Sequence, residues 1–410
     1  MTAREGPGTA LDGVKVADFS WIAAGPIATK TLADHGATVV RIESATRVDT
    51  SRITGPFRDD KPGLNKSGFF ADFNTSKYDL ALNLKHPEAH EIAKRLILWS
   101  DVVVESFTPR VMQGYGLSYA DIVQWKPDVI MLSSSMQGQT GPHREYRGYG
   151  GQGSALSGLH YVTGWPDRVS AGPKGAYTDS IVPRFSVTAI LAALEYRART
   201  GLGQCIDLGQ IECAISSFLP TEVLDYTVNG RIAERHGNRS PDAAPHGSFP
   251  CAGDDYWITI AVETDDQWSA LLEVLGHPAW ANSQRFDTLL ARLENEDELE
   301  ERIAGWTCEQ QPHAAVERLQ AAGVPAAVVY KSVDLFDDPQ LVHRNHFREL
   351  DHAEIGRVGY NGPAHELSET PAVLRWAAPL LGEHTEYVMT EILGYSDDEF
   401  RDFTARHILE

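Results

Sequence analysis

The sequence contains few cysteines, and their spacing argues against a disulfide framework or a thiolate metal site. The four, Cys205, Cys213, Cys251 and Cys308, include no CxxC pair. Such usage is typical of proteins that keep their thiols reduced. The histidines are likewise scattered without the spacing of metal ligands. We therefore expect free cysteines that fill the core, no metal site and a cytoplasmic location.

Long hydrophobic runs are also absent. The longest apolar stretch, residues 185–196, is too short to cross a bilayer, and residues 1–13 contain no apolar core of a signal peptide. A chain of 410 residues with 42% hydrophobic content is longer than one core usually grows. We expect a globular protein of two domains with no membrane partner.

Positive charge is scarce. The formal net charge is -21, and no run is rich in lysine or arginine. A phosphate backbone needs a clustered basic face, so no nucleic acid is expected as a partner. A small anionic ligand stays compatible with this composition, because a few cations and backbone N–H groups bind phosphate groups within an acidic surface.

Short apolar runs alternate with amphipathic segments along the first part of the chain. The predicted strands cover residues 14–19, 37–44, 78–85, 101–107 and 128–135. A helix is predicted from just after Pro26 to Gly36, and another opens at Pro87. Strands that alternate with helices indicate an α/β fold whose parallel sheet is covered on both faces, here a Rossmann-like large domain.

A change in composition marks the expected domain boundary. The segment Asp225–Gly247 is polar, and a smaller α/β unit follows, with strands at residues 256–262 and 325–330 and helices between them. The pattern beyond Lys331 is that of a return segment. The predicted domains are therefore residues 1–224 and 225–330, and residues 331–410 complete the large domain.

The glycine fingerprint of a dinucleotide-binding fold is missing. The turn after the first strand reads AAGP instead of GxGxxG, although Glu43 closes the second strand where a ribose-binding acid would lie. P-loop, HExxH and GxSxG motifs are absent from the sequence as well. These absences argue against an oxidoreductase, which would show the absorbance of a nicotinamide or flavin, and no permanently bound cofactor is expected.

One acid, Asp179 in "GAYTDSIVPR", has two interpretations. Aspartate is a leading N-cap residue, and Pro183 suits a first helical turn, so Asp179 could simply start the apolar helix that follows. A carboxylate beside a glycine-rich loop can also attack a carbonyl carbon. The local pattern leaves both interpretations open.

Six stretches, spread over nearly the whole chain, carry a family resemblance. They are "LDGVKVADFSWIAAGP", "GATVVRIE", "DVVVESFTP", "GQTGP", "GAYTD" with the following "AILAALEYRARTGLGQCIDL", and "LGEHTEYV". They resemble the family III CoA-transferases, which also include carnitine and formate/oxalate transferases and the α-methylacyl-CoA racemases. The stretch that ends in Asp179 is the most specific of them.

The resemblance implies a homodimer of two interlocked ring-shaped subunits, and it identifies Asp179 with the family's nucleophile. In the family's mechanism the carboxylate attacks an acyl-CoA thioester to give a mixed anhydride and a CoA thiolate. The thiolate then forms an aspartyl-CoA thioester, and an acceptor carboxylic acid repeats these steps in reverse. The implied partners are therefore an acyl-CoA and a carboxylic acid, with water kept out of the site.

The resemblance also implies the binding residues. It places CoA contacts at Ala23, Ala24, Leu82, Lys85, Ser106, Phe107, Thr108, Arg110 and Ser135. Backbone N–H groups of a glycine loop, at Tyr149, Gly150 and Gly151, would stabilise the oxyanion. Two arginine positions of the family depart from its pattern: one is Ser44, with Arg47 close by, and the other is Gly114, with Arg110 one helical turn earlier.

Two alternatives stay open within the family. A racemase needs two acid/base groups flanking the α-carbon, and Gly148, Tyr149 and Gly150 occupy the place of the glycine-histidine-aspartate element of family racemases. The chain could instead be a catalytically silent CoA-binding subunit of a heteromer, against which the presence of Asp179 argues. Residues 236–247 do not match the glycine loop of the formate/oxalate enzymes, so the expected acceptor is another carboxylic acid.

Overall fold

Six short runs of mostly buried residues form a parallel sheet within residues 8–410, the part of the chain that this computed structural model describes. The strands are β1 (Lys15–Asp18), β2 (Thr38–Glu43), β3 (Tyr78–Ala81), β4 (Val102–Glu105), β5 (Ile130–Ser135) and β6 (Gln204–Gly209). Their order across the sheet is β3-β2-β1-β4-β5-β6, and each neighbouring pair is parallel. The predicted α/β fold with a Rossmann-like parallel sheet is confirmed.

Both faces of the sheet are covered, because successive side chains of a strand point to opposite sides. On β4, Val103 packs into one hydrophobic cluster, whereas Val102 and Val104 pack into another. The same division separates Val40 from Val39 on β2. Continuous apolar runs of this kind are typical of strands buried between two layers of helices.

Helices alternate with these strands. In chain order the helices of the described residues are α1 (Ala24–Asp34), α2 (Gly68–Asp72), α3 (Ala89–Trp99), α4 (Pro109–Gly114), α5 (Tyr119–Ile122), α6 (Gly150–Leu156), α7 (Leu159–Val162), α8 (Tyr177–Thr200), α9 (Gln210–Phe218), α10 (Pro220–Asn229), α11 (Asp265–Leu275), α12 (Leu289–Glu294), α13 (Glu296–Thr307), α14 (Pro312–Ala321), α15 (Asp334–Asp337), α16 (Pro339–His343), α17 (Thr385–Tyr387) and α18 (Asp397–Ala405). Short 3-10 turns cover Thr50–Ile53, Arg58–Asp60 and Ala279–Asn282, and a π-helical turn covers Val388–Ile392. Helix α1 begins two residues before Pro26 rather than after it, since proline's missing N–H is tolerated within the first turn.

The described residues group into two units. The first takes in the chain up to Leu159, Gly172–Gly230 and Gln340–Glu410, and the second takes in His160–Ala171 and Arg231–Pro339. The predicted domain boundaries, after residues 224 and 330, stay predictions. The expected polar linker starts as a helix, because α10 continues to Asn229 before the chain loses regular structure.

The second unit is built on an antiparallel sheet. Its strands are β7 (His246–Pro250), β8 (Trp257–Ala261) and β9 (Ala326–Val328), in the order β7-β8-β9. Ile258 and Ile260 of β8 are buried with Trp268 and Leu271 of α11 and with residues of α13 and α14. This unit therefore has a hydrophobic core of its own.

The carboxyl-terminal residues pack within the first unit. Val388, Met389 and Ile408 share a hydrophobic cluster with Leu82, and the backbone N–H of Asn83 donates to the Ile408 carbonyl at 2.9 Å. An antiparallel hairpin, β10 (Phe347–His352) and β11 (Gly356–Asn361), precedes this segment. Within residues 8–410, no helix combines the length and apolar character that a bilayer crossing requires.

The cysteines are free, but only two of them fill the core. Cys213 and Cys251 are buried, whereas Cys205 and Cys308 are exposed. The expectation that all four are core residues is therefore wrong for the exposed pair.

Candidate active site

A cleft opens at the carboxyl ends of β1 to β4, where the strand order reverses between β1 and β4. Its lining includes Phe19 and Trp21 after β1, Leu82 and Lys85 after β3, and Phe107 after β4. In open α/β sheets, ligands bind in the crevice outside the carboxyl ends of the strands at such a reversal. The cleft is therefore the expected place for a ligand of this unit.

The two loops beside the reversal meet through Trp21. Its backbone N–H donates to Ser106 Oγ at 3.0 Å, and its indole packs edge-on against Phe107 with ring centroids 5.8 Å apart. The guanidinium of Arg47 lies 5.4 Å from the centroid of the same indole, and Lys85 is also exposed in the cleft lining. Apolar walls with two cations suit a ligand that joins an organic body to anionic groups.

Glu43, which lines the cleft, belongs to a buried ion-pair network. Arg52 Nε donates to both Glu43 carboxylate oxygens at 2.9 Å, Arg41 pairs with Asp49, and Arg52 Nη2 lies 3.6 Å from Asp79 Oδ2. Burial opposes ionisation, yet the charge of Arg41, a hydrogen bond with Asp79 and the charge of Arg52 hold the pKa of Glu43 down to about 2. Burial and the neighbouring Glu43 charge raise the pKa of Asp79. The network therefore fixes one wall of the cleft by charge rather than by apolar packing.

Asp179 does not cap its own helix. It is the third residue of α8, whose N-cap is Ala176, and no side chain makes the capping hydrogen bond there. The capping interpretation is thus wrong, because the helix starts two residues before the aspartate. Pro183 lies within α8, beyond its first turn.

The Asp179 carboxylate is held instead by groups of two other helices. Its Oδ2 accepts a hydrogen bond from the backbone N–H of Gly150 at 3.1 Å, and its Oδ1 accepts one from Gln210 Nε2 at 3.2 Å. The residue is 7% exposed. Burial raises the pKa of Asp179 above its ordinary value, while the two hydrogen bonds oppose that rise. The result is a nearly dry carboxylate with two donors and, among the residues that the structure describes, no cation paired with its oxygens.

Thr178 orients the amide of Gln210. The Thr178 hydroxyl lies 3.2 Å from Gln210 Oε1 and 3.1 Å from the Gly150 carbonyl oxygen, so it can donate to either. With its oxygen facing Thr178, the Gln210 amide presents its N–H2 group to Asp179. Gln210 directly follows β6, so the aspartate is held at the same carboxyl edge of the sheet that carries the cleft.

Gly150 approaches the aspartate so closely that no side chain fits. A Cβ added there would lie 2.8 Å from both Cγ and Oδ2 of Asp179 and 2.8 Å from the Cβ of Ala176. Gly150 and Gly151 form the first turn of α6, and Tyr149 is its exposed N-cap residue. The expected glycine loop is therefore the start of a helix, and the N–H of Gly150 already serves the carboxylate.

The comparisons with known proteins decide the family. The model of CoA-transferase family III matches residues 11–385. The chain belongs to CoA-transferase family III. This match covers both the cleft and Asp179, and it confirms the resemblance that the sequence motifs carry.

Curated relatives match this CoA-transferase over nearly its whole length. Succinyl-CoA--D-citramalate CoA-transferase of Chloroflexus aurantiacus is 30% identical over 403 residues, which cover 98% of this chain and 99% of the relative. Succinyl-CoA:glutarate CoA-transferase of Mus musculus is 29% identical over 401 residues, which cover 98% of this chain and 90% of the relative. Among solved structures, a CAIB/BAIF family protein from Brucella suis superposes with a TM-score of 0.85 at 30% identity, over 94% of this chain and 100% of that chain.

The predicted CoA contacts of this CoA-transferase separate into two groups. Leu82, Lys85 and Phe107 line the cleft, and Ser106 is hydrogen-bonded to Trp21, another lining residue. Those that do not line it are Ala23, Ala24, Thr108, Arg110 and Ser135. Ala23 and Ala24 are buried at the start of α1, Thr108 precedes α4, and Arg110 Nε lies 3.5 Å from Glu145 Oε2. Ser135 is buried at the end of β5, and its Oγ has no hydrogen-bond partner within the described part of the chain.

Sequence reasoning missed three residues of the site. Trp21 follows β1 at the strand reversal, and Gln210 follows β6, so both stand at strand ends where site residues concentrate. That position was the available signal. No sequence signal identifies Thr178, because its role depends on the amide of Gln210 in another helix.

Proposed function

We propose that this CoA-transferase moves CoA from an acyl-CoA to a carboxylic acid, with Asp179 as the nucleophile of a covalent aspartyl-CoA intermediate. The observation that supports this most is the buried Asp179 carboxylate, held by Gly150 and Gln210 at the same sheet edge as the cleft. A carboxylate that has lost most of its hydration is a better nucleophile than a solvated one. Exclusion of water also protects an anhydride and a thioester from hydrolysis.

The electron pairs balance at each step. An Asp179 oxygen forms a bond to the thioester carbonyl carbon, and the C–S bond breaks with its electrons on the CoA thiolate. The thiolate then attacks Cγ of the aspartate and releases the donor as a free carboxylate. The acceptor carboxylate attacks the aspartyl-CoA thioester in turn, and the thiolate finally takes the acceptor's acyl group and restores Asp179. No net proton is consumed, so the cycle needs no general acid or base.

The two hydrogen bonds suggest different roles for the two carboxylate oxygens. If Oδ1 attacks, Oδ2 becomes the carbonyl oxygen of the anhydride and of the aspartyl thioester. Negative charge then develops on Oδ2 each time Cγ becomes tetrahedral, and the Gly150 N–H already points at that atom. One backbone donor would thus position the nucleophile and stabilise its own tetrahedral intermediates. A role for the N–H groups of Tyr149 and Gly151 at the donor's carbonyl stays part of this proposal.

The names of the relatives point to the substrates. Both curated relatives described above transfer CoA from succinyl-CoA, one to D-citramalate and one to glutarate, and both acceptors are dicarboxylic acids. We propose succinyl-CoA as the donor and a short dicarboxylic acid as the acceptor. The CoA moiety would lie in the cleft with its anionic groups near Arg47 and Lys85, and Ala23, Ala24, Thr108, Arg110 and Ser135 would complete the contacts.

A cytoplasmic homodimer of interlocked subunits goes with this proposal. Helix α10 has no buried residue, and it exposes apolar side chains at Val223, Leu224, Tyr226 and Val228. A helix with so much exposed apolar surface is typical of one that a second subunit covers. Light scattering on the purified protein tests this expectation, and a monomer at micromolar concentration would contradict it.

The covalent step is tested by mass spectrometry of the protein mixed with succinyl-CoA. We expect a CoA adduct on the peptide that contains Asp179, and no adduct for Asp179→Asn, which keeps the side-chain shape but lacks the charge. Transfer by this variant should fall at least about a thousandfold, as expected when a covalent nucleophile is lost. Asp402→Asn, at an exposed site on α18, serves as the control and should react like the wild type.

Other outcomes would identify the alternatives. Exchange of the α-proton of a 2-methylacyl-CoA into deuterated water, without an adduct or an acid acceptor, would indicate a racemase. Binding of CoA without adduct or transfer would indicate a silent subunit, as some relatives carry names of separate alpha and beta subunits. Full transfer activity in Asp179→Asn would refute the covalent mechanism.

A further inference from the structure

A second buried carboxylate, Glu105, lies beside the cleft and has no part in the proposed chemistry. It is the last residue of β4 and is 2% exposed. Its Oε2 accepts a hydrogen bond of 2.7 Å from the backbone N–H of Phe107, which lines the cleft. Within the described part of the chain, no lysine or arginine pairs with Glu105. A buried carboxylate without a cation is costly for a fold, so a purpose beyond packing is expected.

Side chains hydrogen-bond to both the N–H and the carbonyl of Phe107, one from the end of β4 and one from the segment after β5. Glu105 accepts from the N–H, and Gln139 Nε2 donates to the Phe107 carbonyl at 3.3 Å. Gln139 is held in turn, because its backbone N–H donates to Asp207 Oδ1 at 2.8 Å. Glu105, Ser133 and Asp207 lie side by side across β4, β5 and β6. We call this arrangement of Glu105, Gln139 and Asp207 the carboxylate brace.

The position of Phe107 matters for the cleft. Its ring packs edge-on against the indole of Trp21, and the guanidinium of Arg47 lies near the same indole. Ser106, the residue before Phe107, accepts a hydrogen bond at its Oγ from the backbone N–H of Trp21. A shift of the Phe107 backbone would therefore move the aromatic wall and the nearby cation together. Small displacements of binding groups reduce affinity because the remaining contacts no longer fit the ligand simultaneously.

We propose that Glu105 is a positioning residue, whose ionised carboxylate holds Phe107 in the wall of the cleft and so sets the affinity of the enzyme for CoA. The inference rests on the proposed CoA cleft and deepens it. Hydrogen bonds to an ionised acceptor are shorter and about twice as strong as those to a neutral one. The wall should thus be held most firmly when Glu105 is charged.

The ionisation of Glu105 changes near neutral pH. Burial raises the pKa of Glu105 to about 7; hydrogen bonds from Ser133 and Phe107 oppose the rise, and the charge of Asp207 adds to it. The nearby thiol of Cys205 stays neutral in this range, because partial burial of its sulfur, within an otherwise exposed residue, and the charges of Asp207 and Glu105 raise its pKa to about 11. CoA should therefore bind more weakly as the pH falls from 8 to 6.

The test is calorimetric titration with CoA alone, which lacks an acyl group and so cannot react with Asp179. We compare the wild type with Glu105→Gln, a neutral side chain of the same shape, at pH 6 and pH 8. Titration of CoA itself cancels in this comparison. At pH 8 we expect Glu105→Gln to bind CoA about fivefold more weakly, the ratio expected for exchanging a charged for a neutral acceptor. At pH 6 the two proteins should bind alike.

Controls separate this inference from the proposed function. Glu195→Gln, at an exposed carboxylate of α8, should bind CoA like the wild type at both pH values. Phe107→Ala and Lys85→Ala should weaken CoA binding at both pH values; if neither does, the CoA cleft is misplaced. If both do while Glu105→Gln matches the wild type at pH 8, or shows the same deficit at pH 6, the positioning role of Glu105 is refuted.

A second variant keeps the proposal testable if Glu105→Gln does not fold. Asp207→Asn gives the Gln139 N–H a neutral acceptor in place of a charged one and should also weaken CoA binding at pH 8 by a few-fold. Asp207 is exposed, so this variant should fold normally. Wild-type affinity in Asp207→Asn, together with an unfolded Glu105→Gln, would refute the brace as a determinant of CoA binding.

Discussion

Gly150→Ala adds one methyl group directly against the proposed nucleophile. The new Cβ would lie 2.8 Å from Cγ and Oδ2 of Asp179, whereas carbon atoms in proteins rest at about 3.5–4.0 Å. The aspartate or the start of α6 must therefore move by about 0.7 Å or more. Such a shift breaks the hydrogen bond from the Gly150 N–H, and a bond to a charged acceptor contributes about 1.5–3 kcal/mol.

The displacement of the aspartate and the loss of its hydrogen bond each predict a similar decrease in rate. A misplacement of about 1 Å costs about a hundredfold in rate, and 1.5–3 kcal/mol corresponds to about 10- to 150-fold. We expect formation of the CoA adduct at Asp179, measured in a single turnover with succinyl-CoA, to slow about a hundredfold in Gly150→Ala. Gly305→Ala is the matched control, because it adds a methyl group in helix α13 where, apart from the adjoining residues of the helix itself, no described atom lies within 4 Å of the new Cβ.

The two variants should also differ in stability. Gly305→Ala should leave the rate unchanged and raise the free energy of unfolding by about 0.5–1 kcal/mol, as alanine replaces glycine within a helix. Gly150→Ala should lose about 1–3 kcal/mol through overpacking. Adduct formation at the wild-type rate in Gly150→Ala would refute the claim that this contact positions the aspartate.

Three further predictions concern buried polar groups of the first unit. Gln210→Leu removes the donor to Asp179 Oδ1 and should raise the pKa of the aspartate. The acid limb of the pH profile for adduct formation should therefore move to higher pH, and an unchanged limb would contradict a role of Gln210 in stabilising the ionised aspartate. The pKa of Glu105 rises from 4.5 to about 7 on folding, so stability from this group falls as the pH rises between these values. Urea unfolding should accordingly show Glu105→Gln more stable than the wild type by up to about 3 kcal/mol at pH 8 and equal to it at pH 4.5; a constant difference would contradict the assignment. Arg52→Met leaves the buried Glu43 carboxylate without its bidentate partner and should lower the free energy of unfolding by about 3–5 kcal/mol, with Arg58→Met at an exposed site as the control.

The sheet was predictable because each strand carries its own signal. Val102, Val103 and Val104 are apolar in a continuous run, and burial on both faces of a parallel sheet requires such a run. Asp179 is a predicted site residue for a different reason, since the stretch that ends in it resembles CoA-transferase family III. Both signals lie within short stretches of sequence, so each can be recognised without knowledge of the tertiary structure.

The surroundings of Asp179 were not predictable in the same way. Neither the GAYTD stretch nor the helix after it indicates that Gln210, which follows the next strand, donates to the carboxylate. Two interpretations of the sequence pattern were also wrong, since Asp179 does not cap α8 and Gly150 lies in a helix rather than in a loop. In each case the outcome depends on contacts between elements, and single-sequence patterns report only on the element that contains them.

Pro183 shows why those contacts between elements control the position of Asp179, the proposed nucleophile. In a regular helix the N–H of residue 183 would donate to the carbonyl of residue 179, but proline has no N–H. Helix α8 therefore holds the backbone of Asp179 with one hydrogen bond fewer than a regular helix would. The side chain is fixed by Gly150 of α6 and by Gln210 of α9 instead. Because these helices follow β5 and β6, the position of the carboxylate depends on the carboxyl ends of those two strands, and a variant that moves either strand end should displace it.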